Sequence, residues 1–209
     1  VFRDMYLYSG SADPLYRTLT GVAIESVDGS HCSGIYVSNI IMSNLKAPLF
    51  IRLGHRGRNQ AEPKVPGKIE NVVVQNITAK RSMFTSSILG IPGFDVERVS
   101  MSGIMLEYEG GGVRDNVHRN VPDKELIRSY PEAQIFGILP AYGLYVRHAK
   151  NVTLSGIVLS YLQADVRPAI VLDDVRSMSI TRAHAPSATG DFPFIWAIDS
   201  HEITVRECK

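Results

Sequence analysis

The chain has 209 residues, of which 44% are hydrophobic and 21% charged, and its formal net charge is +1 at pH 7. This length fits a single domain with a sizeable core. The near-neutral charge and the lack of an 18-residue apolar run lead us to expect neither nucleic acid nor a membrane as a partner. Cys32 and Cys208 have no metal-type spacing, and we interpret them as free thiols that act as small hydrophobes rather than as a disulfide.

A short alternation of apolar and polar residues recurs along the chain, and such alternation is typical of strands rather than helices. Clear copies begin at Ile35, Val72, Val99 and Val152, and weaker ones follow near the carboxyl end. A second short strand precedes most copies. These second strands are predicted over 21–26, 49–53, 87–89, 143–147, 169–173 and 194–199.

The copies follow one another at spacings of 37, 27, 53, 26 and 25 residues, so the basic period is about 26. Two spacings carry insertions, at about 55–70 and 107–142, and the second contains at most a short helix over 122–131. A fixed period of this kind predicts an all-β, right-handed parallel β-helix, in which each strand pairs with its equivalent one repeat later. A β-sandwich with coincidental spacing is the alternative. Asn39 and Asn76 share one repeat position, and we expect them to stack inward at corners.

Five segments of the chain carry a family resemblance, and they lie at 21–29, 35–40, 47–54, 139–148 and 167–174. Together they resemble the carboxyl-terminal half of glycoside hydrolase family 28, the polygalacturonase family. The resemblance implies a secreted or periplasmic hydrolase of pectic polysaccharide that uses a pair of carboxyl groups for acid–base catalysis and needs no cofactor.

The defining motifs of that family, which contain its catalytic aspartates, do not occur here as an ordered set. Phrase matching places them upstream of Val1, so the resemblance implies the carboxyl-terminal part of a larger β-helix that is inactive by itself. The pair Asp173-Asp174 imitates one motif, but neighbouring strand residues point to opposite faces, and we interpret it as a corner or surface pair. His55 lies in an imperfect copy of another motif. We therefore predict no catalytic residue and no metal ligand in this chain.

Substrate-binding residues are predicted from charge and from strand phase. Four basic residues fall within seven positions, and arginine forks match the carboxylates of a uronate polymer, although a solvated basic loop is the alternative. By strand phase, five positions point outward, and one of them, Arg52, also belongs to the basic run. These five would extend the cleft that the family resemblance implies. The predicted set is Glu25, Arg52, His55, Arg56, Arg58, Tyr145, Arg147 and Asp173.

Two other functional classes stay open at this point. One is a non-catalytic β-helix that binds carbohydrate or mediates adhesion, and the other, ranked last, is a polysaccharide lyase, because no acidic calcium cluster is visible. The first repeat is expected to expose Met5, Leu7, Val22 and Ile24 together with open strand edges. This face would then bind a second copy or a missing amino-terminal half.

Overall fold

The structure, a computed structural model, describes residues 1–58, 65–186 and 192–209. Short helices connect the strands, namely α1 (Arg114–Val117) and the 3-10 helices Pro14–Tyr16, Lys124–Leu126 and Ala133–Phe136. The strands are β1 (Phe2–Tyr8), β2 (Thr20–Ser26), β3 (His31–Ser43), β4 (Ala47–Leu53), β5 (Lys68–Ser82), β6 (Ser86–Leu89), β7 (Val96–Gly110), β8 (Leu144–Gln163), β9 (Ile170–His184), β10 (Ile195–Ile198) and β11 (His201–Arg206). The protein is therefore all-β, as predicted.

All pairings between these strands are parallel, and they form two rows. The long-strand row contains β1, β3, β5 and β7, continues through residues 149–163 of β8 and the later part of β9, and ends at β11. The short-strand row contains β2, β4 and β6, then the first residues of β8 and β9, and ends at β10.

The register confirms the predicted repeat. In the long-strand row, the first residues of successive copies pair with one another in a single file across six strands. This file is Ile35, Val72, Val99, Val152, Met178 and Ile203. Each strand thus pairs with its equivalent one repeat later, and the second strands lie where they were expected.

The two rows bury their inward side chains in one shared main core. Val37, Val74 and Met101 of the long-strand row and Ile51 and Ile88 of the short-strand row belong to it. Burying an aliphatic side chain of this size contributes roughly 1.5–3 kcal/mol, so the alternating inward residues account for the stability of both rows.

The long strands bend at residues whose backbone is in the left-handed region. Asn39, Asn76 and Gly103 form one such file, with φ of 55°, 52° and 62°. Asparagine and glycine tolerate this conformation best. The predicted inward stacking of the asparagines is wrong, because the bend turns their side chains outward while Ile40 and Ile77 enter the core. Outside, the Asn76 Nδ2 donates to the Asn39 Oδ1 at 3.1 Å.

The predicted insertion boundaries need correction. Residues 107–110 belong to β7 and pair with β8, and residues 68–70 belong to β5, because both segments keep a parallel partner. The rest of the first insertion includes residues outside the described ranges. Within 122–131, the only described helix is Lys124–Leu126.

Residues 113–142, called here the cover segment, pack on the outer face of the short-strand row. A second apolar cluster joins Val121 and Phe136 of the cover segment to Phe50, Leu89 and Val171 of the strands. The cover segment therefore turns one outer face of the sheet into a second, smaller core.

A buried ion pair between Asp165 and Arg167 joins the two ends of the cover segment. The Asp165 carboxylate lies 2.7 Å from the Arg167 Nη2 and accepts the Gly112 N–H at 2.9 Å. The Arg167 Nη1 donates to the carbonyls of Leu139 and Ala141 at 3.1 and 3.2 Å. A Cβ at position 112 would lie 2.2 Å from the Arg167 Nε, so glycine is required for this close approach.

The first repeat is more protected than predicted. Ile24 is buried, and Met5, Leu7 and Val22 are half-buried against the main core. The expected exposure is therefore wrong for Ile24, whereas Met5, Leu7 and Val22 stay partly exposed while packing against the main core. Cys32 and Cys208 are free and half-buried, as predicted. None of the described helices is long and apolar enough to cross a membrane.

Candidate functional site

Four of the residues predicted to point outward lie in one file along the short-strand row. Glu25 pairs with Arg52, and Arg147 pairs with Asp173, while Leu89 lies between these two pairs. Their strand neighbours Ile24, Ile51, Val146 and Leu172 belong to the main core, which confirms the predicted strand phase.

The outward file is not the open surface that the sequence led us to expect. The cover segment lies over it, so that Arg52 is 2% exposed and Tyr145, from the adjacent file, is 1% exposed. The Arg52 guanidinium donates to the carbonyl of Leu126 and lies 4.8 Å from the ring centre of Phe136. Burial lowers the pKa of Arg52 to about 10, although the charges of Glu25 and Asp123 oppose this shift.

Asp123 connects the cover segment to the polar side chains of β8. Its Oδ2 lies 3.4 Å from an Arg147 nitrogen and 3.2 Å from the His148 Nε2. The other ring nitrogen of His148, Nδ1, lies 2.7 Å from the carboxylate of Asp174. His148 and Asp174 are the left-handed residues at which β8 and β9 pass from one row to the other. These contacts of Asp123 with Arg147 and His148, called here the junction, thus hold the cover segment at a corner of the sheet.

Beside this junction lies a cavity of about 330 Å³. Tyr145, Arg147 and Asp173 line one side, and Trp196 and Ile198 of β10 continue the wall. The Tyr145 hydroxyl donates to the Asp173 Oδ2 at 2.6 Å, and the Arg147 Nε lies 3.1 Å from the same oxygen. Burial raises the pKa of Tyr145, and the negative charge of Asp173 adds to the rise, so the hydroxyl keeps its proton.

The rings of Trp196 and His118 form the wall of the cavity next to β10, and Phe192 packs on them from outside the lining. The rings of Trp196 and His118 meet edge to face at 5.9 Å, and Phe192 stacks on Trp196 at 6.3 Å. Arg114 lies above Phe192, 5.4 Å from the centre of its ring. The cavity therefore combines an aromatic surface with a guanidinium and a carboxylate.

The predicted basic patch is divided by the structure. Arg52 lies under the cover segment, whereas the Arg56 guanidinium donates to Asp28 and lies 5.6 Å from the ring of Tyr130. Arg58 is exposed and bonds Asp28 through its backbone N–H at 3.4 Å. Arg56 and Arg58 therefore share Asp28 as a partner, whereas Arg52 is separated from them under the cover segment.

Glu25 and His55 lie apart from the cavity. The His55 N–H donates to the carbonyl of Ile127 in the cover segment at 2.8 Å. Glu25 is half-buried, and burial raises its pKa, against the charges of Arg52 and Arg56 and with that of Glu132. Of the eight predicted residues, the cavity brings together three, namely Tyr145, Arg147 and Asp173.

Sequence reasoning missed the aromatic wall. Trp196 pairs with Val171, which pairs with Tyr145, so the strand phase that marked Tyr145 also marked Trp196 as outward. Trp196 is half-buried and lines the cavity. For His118 and Asp123 no signal was available, because the cover segment has no strand alternation.

This combination of groups suits a small anionic molecule that also carries hydroxyl groups. A guanidinium pairs with a carboxylate, tyrosine and aspartate bond hydroxyls, and an aromatic face packs on the apolar face of a sugar ring. No protein-family model, no curated protein and no solved structure matches this chain.

Proposed function

We propose that this chain is a carbohydrate-binding protein whose cavity beside Trp196 takes an acidic sugar of the pectic type. The observation that carries the proposal is the meeting of Arg147, Asp173, Tyr145 and Trp196 in one cavity. In the complex, Arg147, which also contacts Asp123 and Asp173, faces the sugar carboxylate, Asp173 bonds a sugar hydroxyl group, and Trp196 packs against the ring.

The fold in this proposal is a right-handed parallel β-helix. It is supported by two rows of parallel strands that share one core, and by the one-repeat offset between paired strands. The right hand follows the strong general preference of crossovers between parallel strands.

We further propose that the chain is the carboxyl-terminal part of a polygalacturonase-like hydrolase, secreted or periplasmic and without a cofactor. The support is the sequence resemblance described above. Inverting hydrolysis needs two carboxyl groups roughly 6.5–9.5 Å apart, with the scissile bond and a water between them. Here Asp123 and Asp173 both lie within 3.4 Å of Arg147, so a guanidinium fills the space between them. The chain alone is therefore expected to bind sugar without cleaving it.

A non-catalytic binding or adhesive β-helix is the second candidate. The observation that favours it is the cover segment, which closes the outward file over Arg52 and leaves a cavity the size of a short oligosaccharide end. Release of reducing ends from polygalacturonate by the 209-residue chain would contradict both the binding-only candidate and the expected inactivity of the chain.

Calorimetric titration with oligogalacturonates and with matching neutral oligosaccharides tests the binding proposal. We expect weak binding that prefers the acidic series and weakens with salt, because charge pairs are screened. Arg147→Ala should lower the affinity for the acidic series about tenfold or more, the usual effect of losing a charged hydrogen bond. Arg147→Lys, which keeps the charge, should retain part of the preference, and Trp196→Ala should weaken both series.

Arg58→Ala is the matched control, since it removes an exposed arginine that does not line the cavity. Equal binding of both series, or binding that is unaffected by changes at Arg147 and Trp196, would contradict the proposal.

A further inference from the structure

The outer face of the long-strand row carries a file of mostly exposed side chains, four of which are apolar or aromatic, with the half-buried Thr78 at its centre. Tyr6 is 67% exposed, Ile41 56%, Met105 53% and Val158 37%. Pairing places these residues next to one another in register across six strands. The file, called here the outer stripe, is Tyr6, Ile41, Thr78, Met105, Val158 and His184.

The outer stripe is a product of the repeat rather than of scattered surface residues. The residues immediately before its members, such as Ile40, Ile77 and Ile104, point into the main core. Neighbouring strands are roughly 4.8 Å apart, so six strands give a stripe about 24 Å long. A row of exposed apolar side chains of this kind is a candidate interaction surface.

Two residues farther along the strands, a polar file runs parallel to the outer stripe. Ser43 pairs with Lys80, and Glu107 pairs with Ser160. The register between β5 and β7 shifts after Ala79, but Lys80 and Glu107 still line one shallow pocket together with Thr78 and Met105. Lys80 and Glu107 lie at the middle of this file, on β5 and β7, with Thr78 and Met105 beside them.

We propose that the outer stripe binds a second copy of this chain, face to face, about a two-fold axis parallel to the strands. Such an axis keeps the strand direction and reverses the strand order. Thr78 then meets Met105 of the second copy, Ile41 meets its Val158, and Tyr6 meets its His184.

The same axis brings Lys80 of each copy opposite Glu107 of the other, twice in the dimer. The surface is thus complementary to itself in both charge and polarity, because the two serines also face one another. No other axis in the plane of the face gives this result, since an axis perpendicular to the strands sets each strand opposite its own copy.

The size of the outer stripe sets the strength of the dimer. Six side chains cover a few hundred square ångströms on each copy, below the roughly 800 Å² per partner of a standard stable interface. We therefore expect a reversible dimer that forms at high micromolar to millimolar concentration.

Sedimentation equilibrium over that concentration range tests the proposal. Lys80→Glu and Glu107→Lys each create two like-charge contacts and should raise the dissociation constant roughly five- to tenfold, the scale of surface charge pairs. Met105→Asp should raise it further, by placing a carboxylate in the apolar file. Lys68→Glu, an equal charge change on the same strand but outside the outer stripe, should have little effect.

The sharpest experiment uses mixtures. When the Lys80→Glu chain is mixed with the Glu107→Lys chain, opposite charges meet at both contacts of the mixed dimer, so dimerisation should be restored. The chain that carries both substitutions should also dimerise, because each contact again pairs opposite charges. An effect of each substitution on the folding of its own chain could not produce this rescue in the mixture. A chain that stays monomeric at every concentration, a mixture without rescue, or a dimer disrupted by Phe2→Asp but not by Met105→Asp would each overturn the proposal. Thermal unfolding of every variant verifies that it is folded.

Discussion

The two strand rows have the same inward alternation but very different outer faces. On the short-strand row, outward residues such as Phe50, Tyr145 and Val171 are buried under the cover segment. On the long-strand row, Ile41 and Met105 occupy equivalent outward positions and remain exposed. The alternation of apolar and polar residues along the strands determines which side chains point away from the main core. A single insertion then determines whether those side chains form a second core, a cavity or an open surface.

The difference also separates two kinds of polar residue. Beside the cover segment, Asp165 and Arg167 are buried as an ion pair, because an unpaired buried charge is costly, and Arg52 donates to the carbonyl of Leu126. On the open row, Lys80 and Glu107 lie beside solvent, where a charge pair contributes little. Equivalent substitutions on the two faces should therefore have unequal effects.

Asp165→Asn should have the largest effect, because it leaves the buried Arg167 guanidinium without its counter-charge. Breaking one partner of a buried pair costs about 3–5 kcal/mol, and both ends of the cover segment depend on this pair. Urea denaturation measures the loss of unfolding free energy. Asp115→Asn, an exposed change within the cover segment, is the control and should leave the midpoint nearly unchanged.

The same pair predicts a pH dependence. Burial alone raises the pKa of Asp165, but the hydrogen bonds and charge of Arg167 and the Gly112 N–H bring it below its usual value. Its contribution to stability is therefore complete above the unfolded-state pKa of about 4 and is lost as the pH falls through the lower folded-state value. The difference in unfolding free energy between the wild-type chain and Asp165→Asn should become smaller on acidification. A difference that stays constant with pH would contradict a lowered pKa of Asp165.

Phe136→Ala and Met105→Ala compare the two outer faces directly. Phe136 is buried in the second cluster, and its truncation should cost roughly 3 kcal/mol, whereas Met105 is exposed and its truncation should stay within about 0.5 kcal/mol. Hydrogen exchange should show lost protection in the cover segment for Phe136→Ala. Similar unfolding free energies for both variants would mean that the cover segment adds nothing to the stability of the strands.

Glu25→Gln should have the smallest effect, and of opposite sign. Because burial raises the folded-state pKa of Glu25, the ionised carboxylate weakens the fold once the pH exceeds the unfolded value of about 4.3. The variant should melt slightly above the wild-type chain at pH 7, and the difference should disappear in acid. A variant that melts lower at pH 7 would show that the Arg52 and Arg56 charges outweigh burial.

The repeat could be predicted because its signal is local and periodic. Ile35, Val72 and Val99 were identified by alternation alone, and they pair in register. The bends were harder to predict. Asn39 was recognised as a corner, but its outward direction depends on a backbone with positive φ, which apolar patterning does not encode.

For the candidate site, strand phase predicted direction but not exposure. Tyr145 and Arg147 were correctly placed on the outer face, yet Arg52 on the same file is buried under residues more than 70 positions away in the sequence. The cover segment has neither strand alternation nor a long helix. Its contacts through Asp123 and Phe136 depend on tertiary packing, which no local pattern reports.

Register in this molecule is independent of the length of chain between paired strands. Val99 pairs with Val152 across 53 residues in the same way that Val72 pairs with Val99 across 27. Because the Asp165–Arg167 pair fastens the base of the longer connection, the register is kept whatever the length of chain between residues 112 and 139. The position between β7 and β8 is therefore a graft site, where a segment of another length could be inserted with the pairing kept, although the stability that the cover segment adds over Phe50, Leu89 and Val171 would be lost.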